Sequence, residues 1–240
     1  MIRTLRSALG GAASAAVLVL FLALASCDSP SGPTPAGTTA HLEIIAGNGQ
    51  TGVAGKELAA PLVVKVTDDK GKAVKGQVVN FRVVAGDGTV FGSTALTSAD
   101  GLAQERWTLG TTARDTQKVE ARAVDPATGT AIVFATFTAV ATPDVPAALT
   151  KVVGDGQSAP VGAPLPDSLA VKLADRYGNA VAGQTVTFAV VSGGGSVSPA
   201  SRSTDSAGVA RAQWTLGTRL DSAQVASASF GSLPPVTFTA

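Results

Sequence analysis

Beyond about the fortieth residue, apolar and polar side chains alternate with a period of two. In Val79-Asn80-Phe81-Arg82-Val83 the apolar residues take the odd places, and Leu62, Val64 and Val66 repeat the pattern. Ala103, Trp107 and Leu109 form a third such stripe. Side chains on a strand point alternately to opposite faces, so each stripe predicts one buried face and one wet face. Turn-forming clusters separate the runs: Asp68-Asp69-Lys70-Gly71, Ala85-Gly86-Asp87-Gly88 and Ala99-Asp100-Gly101. Past the amino-terminal segment no window sustains a helical period. Short strands recurring every eight to twelve residues or so predict a β-sandwich.

The pattern is written twice. Gly47-Asn48-Gly49-Gln50 returns 107 positions later as Gly154-Asp155-Gly156-Gln157, and Trp107-Thr108-Leu109-Gly110 returns as Trp214-Thr215-Leu216-Gly217. The same offset carries Leu62 to Leu169, Gly71 to Gly178, Phe81 to Phe188 and Gly86 to Gly193. About 28 of the 64 positions from Gly47 to Gly110 are identical, without a gap. Beyond them, small deletions in the second copy are expected to set Val119 opposite Val225, and Phe137-Thr138-Ala139 opposite Phe238-Thr239-Ala240. The inward positions persist between copies while the outward ones vary, as Asn80 to Thr187 and Arg82 to Ala189. Each copy has the length of one sandwich, about 100 residues.

The amino terminus is not part of this fold. Arg3 and Arg6 precede an apolar run from Ala15 to Ala25, and small residues lead to Cys27. That run is about half of the roughly 20 apolar residues that a spanning helix needs. Leu24-Ala25-Ser26-Cys27 resembles the lipobox of bacterial lipoproteins. The resemblance implies cleavage after Ser26, diacylglycerol on the Cys27 sulfur and a further acyl chain on the new amino terminus. Cys27 is the only cysteine, so an internal disulfide is ruled out by count. One acyl chain binds a bilayer marginally, whereas two or three anchor it. The next dozen residues, Asp28 to Thr39, hold Pro30, Pro33 and Pro35 and predict an extended linker spanning up to ~40 Å. Asp28 bears on the address: in enteric bacteria an aspartate here resembles the signal for inner-membrane retention. Between the copies, Ala141-Thr142-Pro143-Asp144-Val145-Pro146 carries two prolines and predicts a joint with little freedom to bend.

Charge excludes some functions. The full chain has 18 basic and 17 acidic residues. Loss of Arg3 and Arg6 with the signal leaves 16 against 17, about −1. A near-neutral surface without a basic stripe gives no footprint for nucleic acid.

Gly-Asn/Asp-Gly-Gln, Pro61-Leu62-Val63-Val64-Lys65-Val66-Thr67-Asp68, Gly-x-x-Val-x-Gly-Gln-x-Val-x-Phe, the glycine-rich turn and Trp-Thr-Leu-Gly before a closing Phe-Thr-Ala are a specific set. Together they resemble the group 1 bacterial immunoglobulin-like domains of invasin and intimin adhesins. The likeness covers residues 41–142 and 147–240. It implies an all-β chain of two tandem immunoglobulin-like β-sandwich domains, 41–142 and 147–240, after a signal peptide (1–26) and a lipid-anchored linker (27–40). Those adhesins place an outer-membrane barrel before the repeats and a lectin-like tip after them. Neither is present in this sequence, so receptor binding does not carry over with the resemblance.

Chemistry-bearing residues are sparse. Gly47-Asn48-Gly49-Gln50-Thr51-Gly52 matches G-x-G-x-x-G, but no helix can start before Gly55 and Pro61 to present its amides to a pyrophosphate. Asp68-Asp69-Lys70-Gly71 and Asp175-Arg176-Tyr177-Gly178 lack the ligand spacing of a calcium loop, which leaves hairpin turns as the simpler reading. Asp125, Asp144 and Asp155 are the acids available for a weak calcium site between the copies. His41 is the only histidine and has no counterpart in the second copy, so no triad and no closed zinc site can be assembled. Glu105 alone among the acids falls on an inward position; its counterpart is Ala212, which makes it a strand-end or rim residue. Trp107 and Trp214 share one strand position and read as core fillers rather than sugar platforms.

The expectation is a non-catalytic, lipid-anchored envelope protein, a spacer or adhesion module without cofactor or metal, on the outer membrane or cell surface. The alternative is an envelope protein that binds a glycan or protein partner through loops, Gly86–Gly88 or Gly193–Gly195, or through an edge strand. Asp28 keeps an inner-membrane address facing the periplasm open.

Overall fold

The computed structural model describes residues 38–240. Cys27, the lipobox residues Leu24, Ala25 and Ser26, and most of the linker lie outside the described residues.

The first copy supplies β1 (His41–Ala46), β2 (Gln50–Val53), β3 (Leu62–Thr67), β4 (Val78–Ala85), β5 (Thr89–Val90), β6 (Thr94–Leu96), β7 (Leu102–Glu105), β8 (Trp107–Thr108), β9 (Thr116–Val124) and β10 (Ala131–Thr142). The second supplies β11 (Pro146–Val153), β12 (Leu169–Asp175), β13 (Thr185–Ser192), β14 (Gly195–Ser198), β15 (Ser201–Ser203), β16 (Val209–Leu216), β17 (Val225–Ser229) and β18 (Val236–Thr239). There is no helix among the described residues. In the first copy a β1-β3-β7 sheet faces a β2-β10-β9-β4-β6 sheet. The β2–β10 pairing is parallel and the rest antiparallel. In the second, β11-β12-β16-β14 faces β15-β13-β17-β18. These are all-β, immunoglobulin-like sandwiches.

The alternation pays out as burial. Leu62, Val64 and Val66 are fully buried, as are Val79, Val119, Ala121 and Phe137 from the opposite sheet, and Phe81 nearly so. Trp107 and Trp214 are 1% and 0% exposed, which makes them core and not stacking platforms. The buried apolar side chains group around two centres. One runs from Ala54 to Ala141, the other from Leu165 to Phe238. The core of the first copy draws in the end of the linker too: Thr39 is buried, its Oγ1 donating to Gln77 Oε1 at 2.6 Å, and Ala40 N donates to Thr67 O.

One alignment expected from sequence is corrected by register. Val119 stands opposite Phe137 in β9–β10, and Ala226, not Val225, stands opposite Phe238 in β17–β18. Ala226 is fully buried, so the unbroken offset of 107 runs on through Gln224 and Ala228. The shortening lies in the hairpin that follows. A buried alanine opposite a phenylalanine carries less signal than a valine, which is why the sequence alone favoured Val225.

The copies also part at Glu105. Here the first copy breaks into β7 and β8, whereas β16 runs unbroken through Ala212. Glu105 is 8% exposed; its Oε1 accepts from Arg106 N at 2.7 Å and its Oε2 from Gly92 N at 3.0 Å. The carboxylate takes backbone donors that a ladder would otherwise use, and the strand stops.

Candidate functional site

A cluster of side-chain contacts between distant parts of the chain lies where the two copies meet. It is built on the turn after β12. Asp175 Oδ1 accepts from Tyr177 N and Asn179 N, both at 2.9 Å, and Gly178 takes φ +85. The first copy folds the same turn on Asp68, with bonds from Lys70 N and Lys72 N at 2.9 and 2.8 Å. Both are thus tight hairpin turns, each closed by one bridge, Thr67–Ala73 and Ala174–Ala180, before the chain passes to the opposite sheet. Only the second carries Tyr177 and Asn179, where the first has Lys70 and Lys72.

Asn179 and Tyr177 reach the first copy. Asn179 Nδ2 donates to Thr111 O at 2.8 Å, and Asn179 Oδ1 accepts from Ala113 N at 2.9 Å. The Tyr177 hydroxyl occupies the place that a Cβ on Gly55 would take. Arg114, held at φ +75, donates to the Ser206 carbonyl and to Ala180 O. Below them Asp175 Oδ2 accepts from Asp144 N at 2.9 Å, and Arg176 pairs with the Asp144 carboxylate at 3.2 Å. The Arg176 guanidinium also lies over the Tyr177 ring, 4.6 Å from its centroid. Burial raises the Asp175 pKa, but Asn179 and the N–H groups of Asp144, Asn179 and Tyr177 together hold it below the ordinary carboxylate range.

The other residues singled out from sequence have local roles. Gln50 Nε2 donates to Gly47 O and Ala60 O, and Gln50 Oε1 accepts from Ala60 N. Gln157 repeats this with Gly154 and Asp167. The glycine-rich stretch is therefore a clasp between two chain segments, with no helix behind it. Asp155 Oδ1 accepts from Thr239 N at 2.9 Å and its Oδ2 pairs with Lys151, Asp125 caps its own turn at Ala127 N, and Asp144 is engaged at the joint. These acids are not brought together, and no group of metal-ligating side chains is found among the described residues. His41 opens β1 opposite Thr67 and is exposed. In the Gly86–Gly88 and Gly193–Gly195 turns, a Cβ at Gly86 would lie 2.7 Å from Gln117 Cγ, and one at Gly193 2.5 Å from Gln224 Cδ. Those glycines serve close packing.

Sequence reading credited the joint's stiffness to Pro143 and Pro146 and passed over Tyr177, Asn179 and Arg114. A signal existed: the chain's one tyrosine sits in the turn that the copies otherwise share.

No protein-family model matches the chain, and no curated protein matches it. Among solved structures, the D00–D0 domain of intimin is 17% identical, with 83% of this chain and 98% of that one covered, at a TM-score of 0.42. The D0–D1 domain of intimin is 17% identical over 84% and 99%, at 0.32. The adhesin InvE of Yersinia pseudotuberculosis is 18% identical over 82% and 58%, at 0.40. The neighbours thus include the adhesins whose motifs the sequence resembles. Neither ligand nor activity follows from likenesses of this degree.

Proposed function

We propose that the chain is a non-catalytic, lipid-anchored envelope protein in which two immunoglobulin-like domains, 41–142 and 147–240, act as a stiff spacer or adhesion module. The joint carries this reading. A flexible tether would need only the short linker. Here Asn179, Arg114 and Asp175 make directional bonds across it, and Tyr177 packs against Gly55. Directional bonds from several side chains restrict orientation as well as distance. A module that holds its two halves at a set angle transmits position, which suits a stalk standing off a membrane.

The anchor is Cys27, with Leu24, Ala25 and Ser26 as the processing signal, and the outer membrane or cell surface is the favoured address. Lipid labelling tests it: wild-type protein takes up a fatty-acid label and sediments with membranes, and Cys27→Ser does neither. If C27S still sediments with membranes after a salt wash, the anchor lies elsewhere. Protease added to whole cells separates the surface from the periplasmic address that Asp28 keeps open.

A further inference from the structure

We infer that the first sandwich carries a glycan-binding site in a gap of its wall beside Glu105, flanked by Phe91. The gap has a backbone origin. Leu58 N donates to Trp107 O and Glu57 bridges to Thr108, so this segment begins as a strand beside β8. It rejoins the sheet at Leu62, opposite Glu105. Between those points the chain swings out and leaves a cavity of about 530 Å³, lined by Glu57, Leu58, Pro61, Gln104, Glu105 and Arg106. That volume is in the range of small-ligand sites.

The second copy supplies an internal control, because it has the same backbone course. Leu165 N donates to Trp214 O, and Leu169 pairs with Ala212. There Gln213, the counterpart of Arg106, spans the gap. Its Nε2 donates to Leu165 O at 2.6 Å, and Ser168 Oγ reaches its Oε1 at 3.4 Å. In the first copy Arg106 turns outward instead and pairs with Glu57 at 2.7 Å. Glu57, Glu105 and Arg106 replace Pro164, Ala212 and Gln213. The second copy folds with none of the three.

The exposed aromatic points the same way. Phe91 is 91% exposed, and its N–H donates to Arg106 O at 3.2 Å, beyond the Val90–Trp107 pair of the β5–β8 ladder. Residues facing across a ladder project to one side, so Phe91 and Arg106 share the outer surface. The counterpart of Phe91 is Ser198. A nearly bare phenylalanine loses free energy to water that a polar residue would not. The first copy keeps one bonded through its backbone to Arg106, which lines the gap.

The ligand class follows from these groups. Carboxylates, a guanidinium and the Gln104 amide offer acceptors and donors for hydroxyl groups, and Leu58 and Pro61 add apolar wall. The negative face of the Phe91 ring suits the C–H face of a pyranose. Two carboxylates against one guanidinium leave a net negative charge, which favours neutral or amino sugars over acidic ones. The site extends the adhesion half of the proposed function; a spacer without it would still be anchored and stiff.

Full-length protein in mild detergent, applied to immobilised neutral, amino and acidic oligosaccharides, tests the site. Phe91→Ser and Arg106→Gln import residues that the second copy already folds with. Saturable binding to a neutral or amino sugar, weakened at least tenfold by F91S and by R106Q and unchanged by Arg211→Ala in the second copy, is expected. Retention of no sugar above a blank surface, preference for acidic sugars, or binding by F91S and R106Q as tight as that of the unsubstituted protein overturns it. None of these outcomes touches the lipid-labelling result, so failure of the site and failure of the anchor are separable.

Discussion

Asn179 of the second sandwich donates from its side-chain amide to the carbonyl oxygen of Thr111 in the first, at 2.8 Å. The same amide accepts from Ala113 N, so one side chain satisfies a donor and an acceptor on a single loop. Leucine or lysine in its place would satisfy neither or only one. Head and tail of the two copies are matched by chemistry at this point as well as tied by the linker.

Asn179→Ala removes both bonds and strands two partly buried backbone groups, at about 1–3 kcal/mol. The loss falls on docking and spares the cores. Interdomain residual dipolar couplings or small-angle scattering should show a broader range of domain orientations, while the unfolding midpoints of both sandwiches change little.

Gly55→Ala places a methyl group where the Tyr177 hydroxyl sits, at a backbone φ of +70 that disfavours any side chain. The joint should open as in N179A. Combining it with Tyr177→Ala should relieve the clash and restore part of the docking, leaving the conformational cost at residue 55, about 1–2 kcal/mol. Thermal melts of the single and double variants check this. Full additivity of the two effects would show that the residues do not meet.

Acid should loosen the joint. Of the groups that hold the Asp175 carboxyl below its ordinary range, the Asp144 N–H comes from the joint and the others from its own turn, so docking gains that share of the effect at pH values above the free value of about 3.9. That contribution is lost as pH falls through the lowered value. Asp144 and Arg176 are the other charged groups that face it. Interdomain order followed from pH 6 to pH 2 should drop below about pH 4 in the wild type. Asp175→Asn should be looser at pH 6 and show a smaller change.

Trp107→Ala and Trp214→Ala should each destabilise their own sandwich by about 3–5 kcal/mol, since each fills its core. Neither indole N–H has a hydrogen-bond partner among the described residues. Replacement by phenylalanine therefore removes volume but no bond, and should cost clearly less than alanine. Denaturant unfolding reads this, with the remaining tryptophan reporting the other sandwich.

Much of the fold was legible because its determinants are local or repeated. The two-residue period of Val79, Phe81 and Val83 marks an inward face whatever it packs against, and Asp68 with Gly71 spells a turn within five residues. The repeat made the core readable, since Trp107 and Trp214 had to solve one packing problem twice. The glycines of Gly47–Gly52 could be set aside as a phosphate cradle for want of a helix, and their actual use, a clasp closed by Gln50 on Ala60, needed the fold to be seen.

By itself, then, the sequence determined the strands, their inward faces, the doubling of the sandwich and the place of each turn. These depend on neighbours a few residues apart, or on a second copy that reports which positions cannot vary. The tertiary structure alone decided what distant surfaces do with each other. Tyr177 fits Gly55, and Asn179 bridges Thr111 and Ala113, through spacings of more than sixty residues that no period encodes. Arg106 leaves a gap that Gln213 closes, because one side chain turns toward Glu57 and the other toward Leu165. Which partner a polar side chain takes is settled by the space around it, and that space exists only in the folded chain.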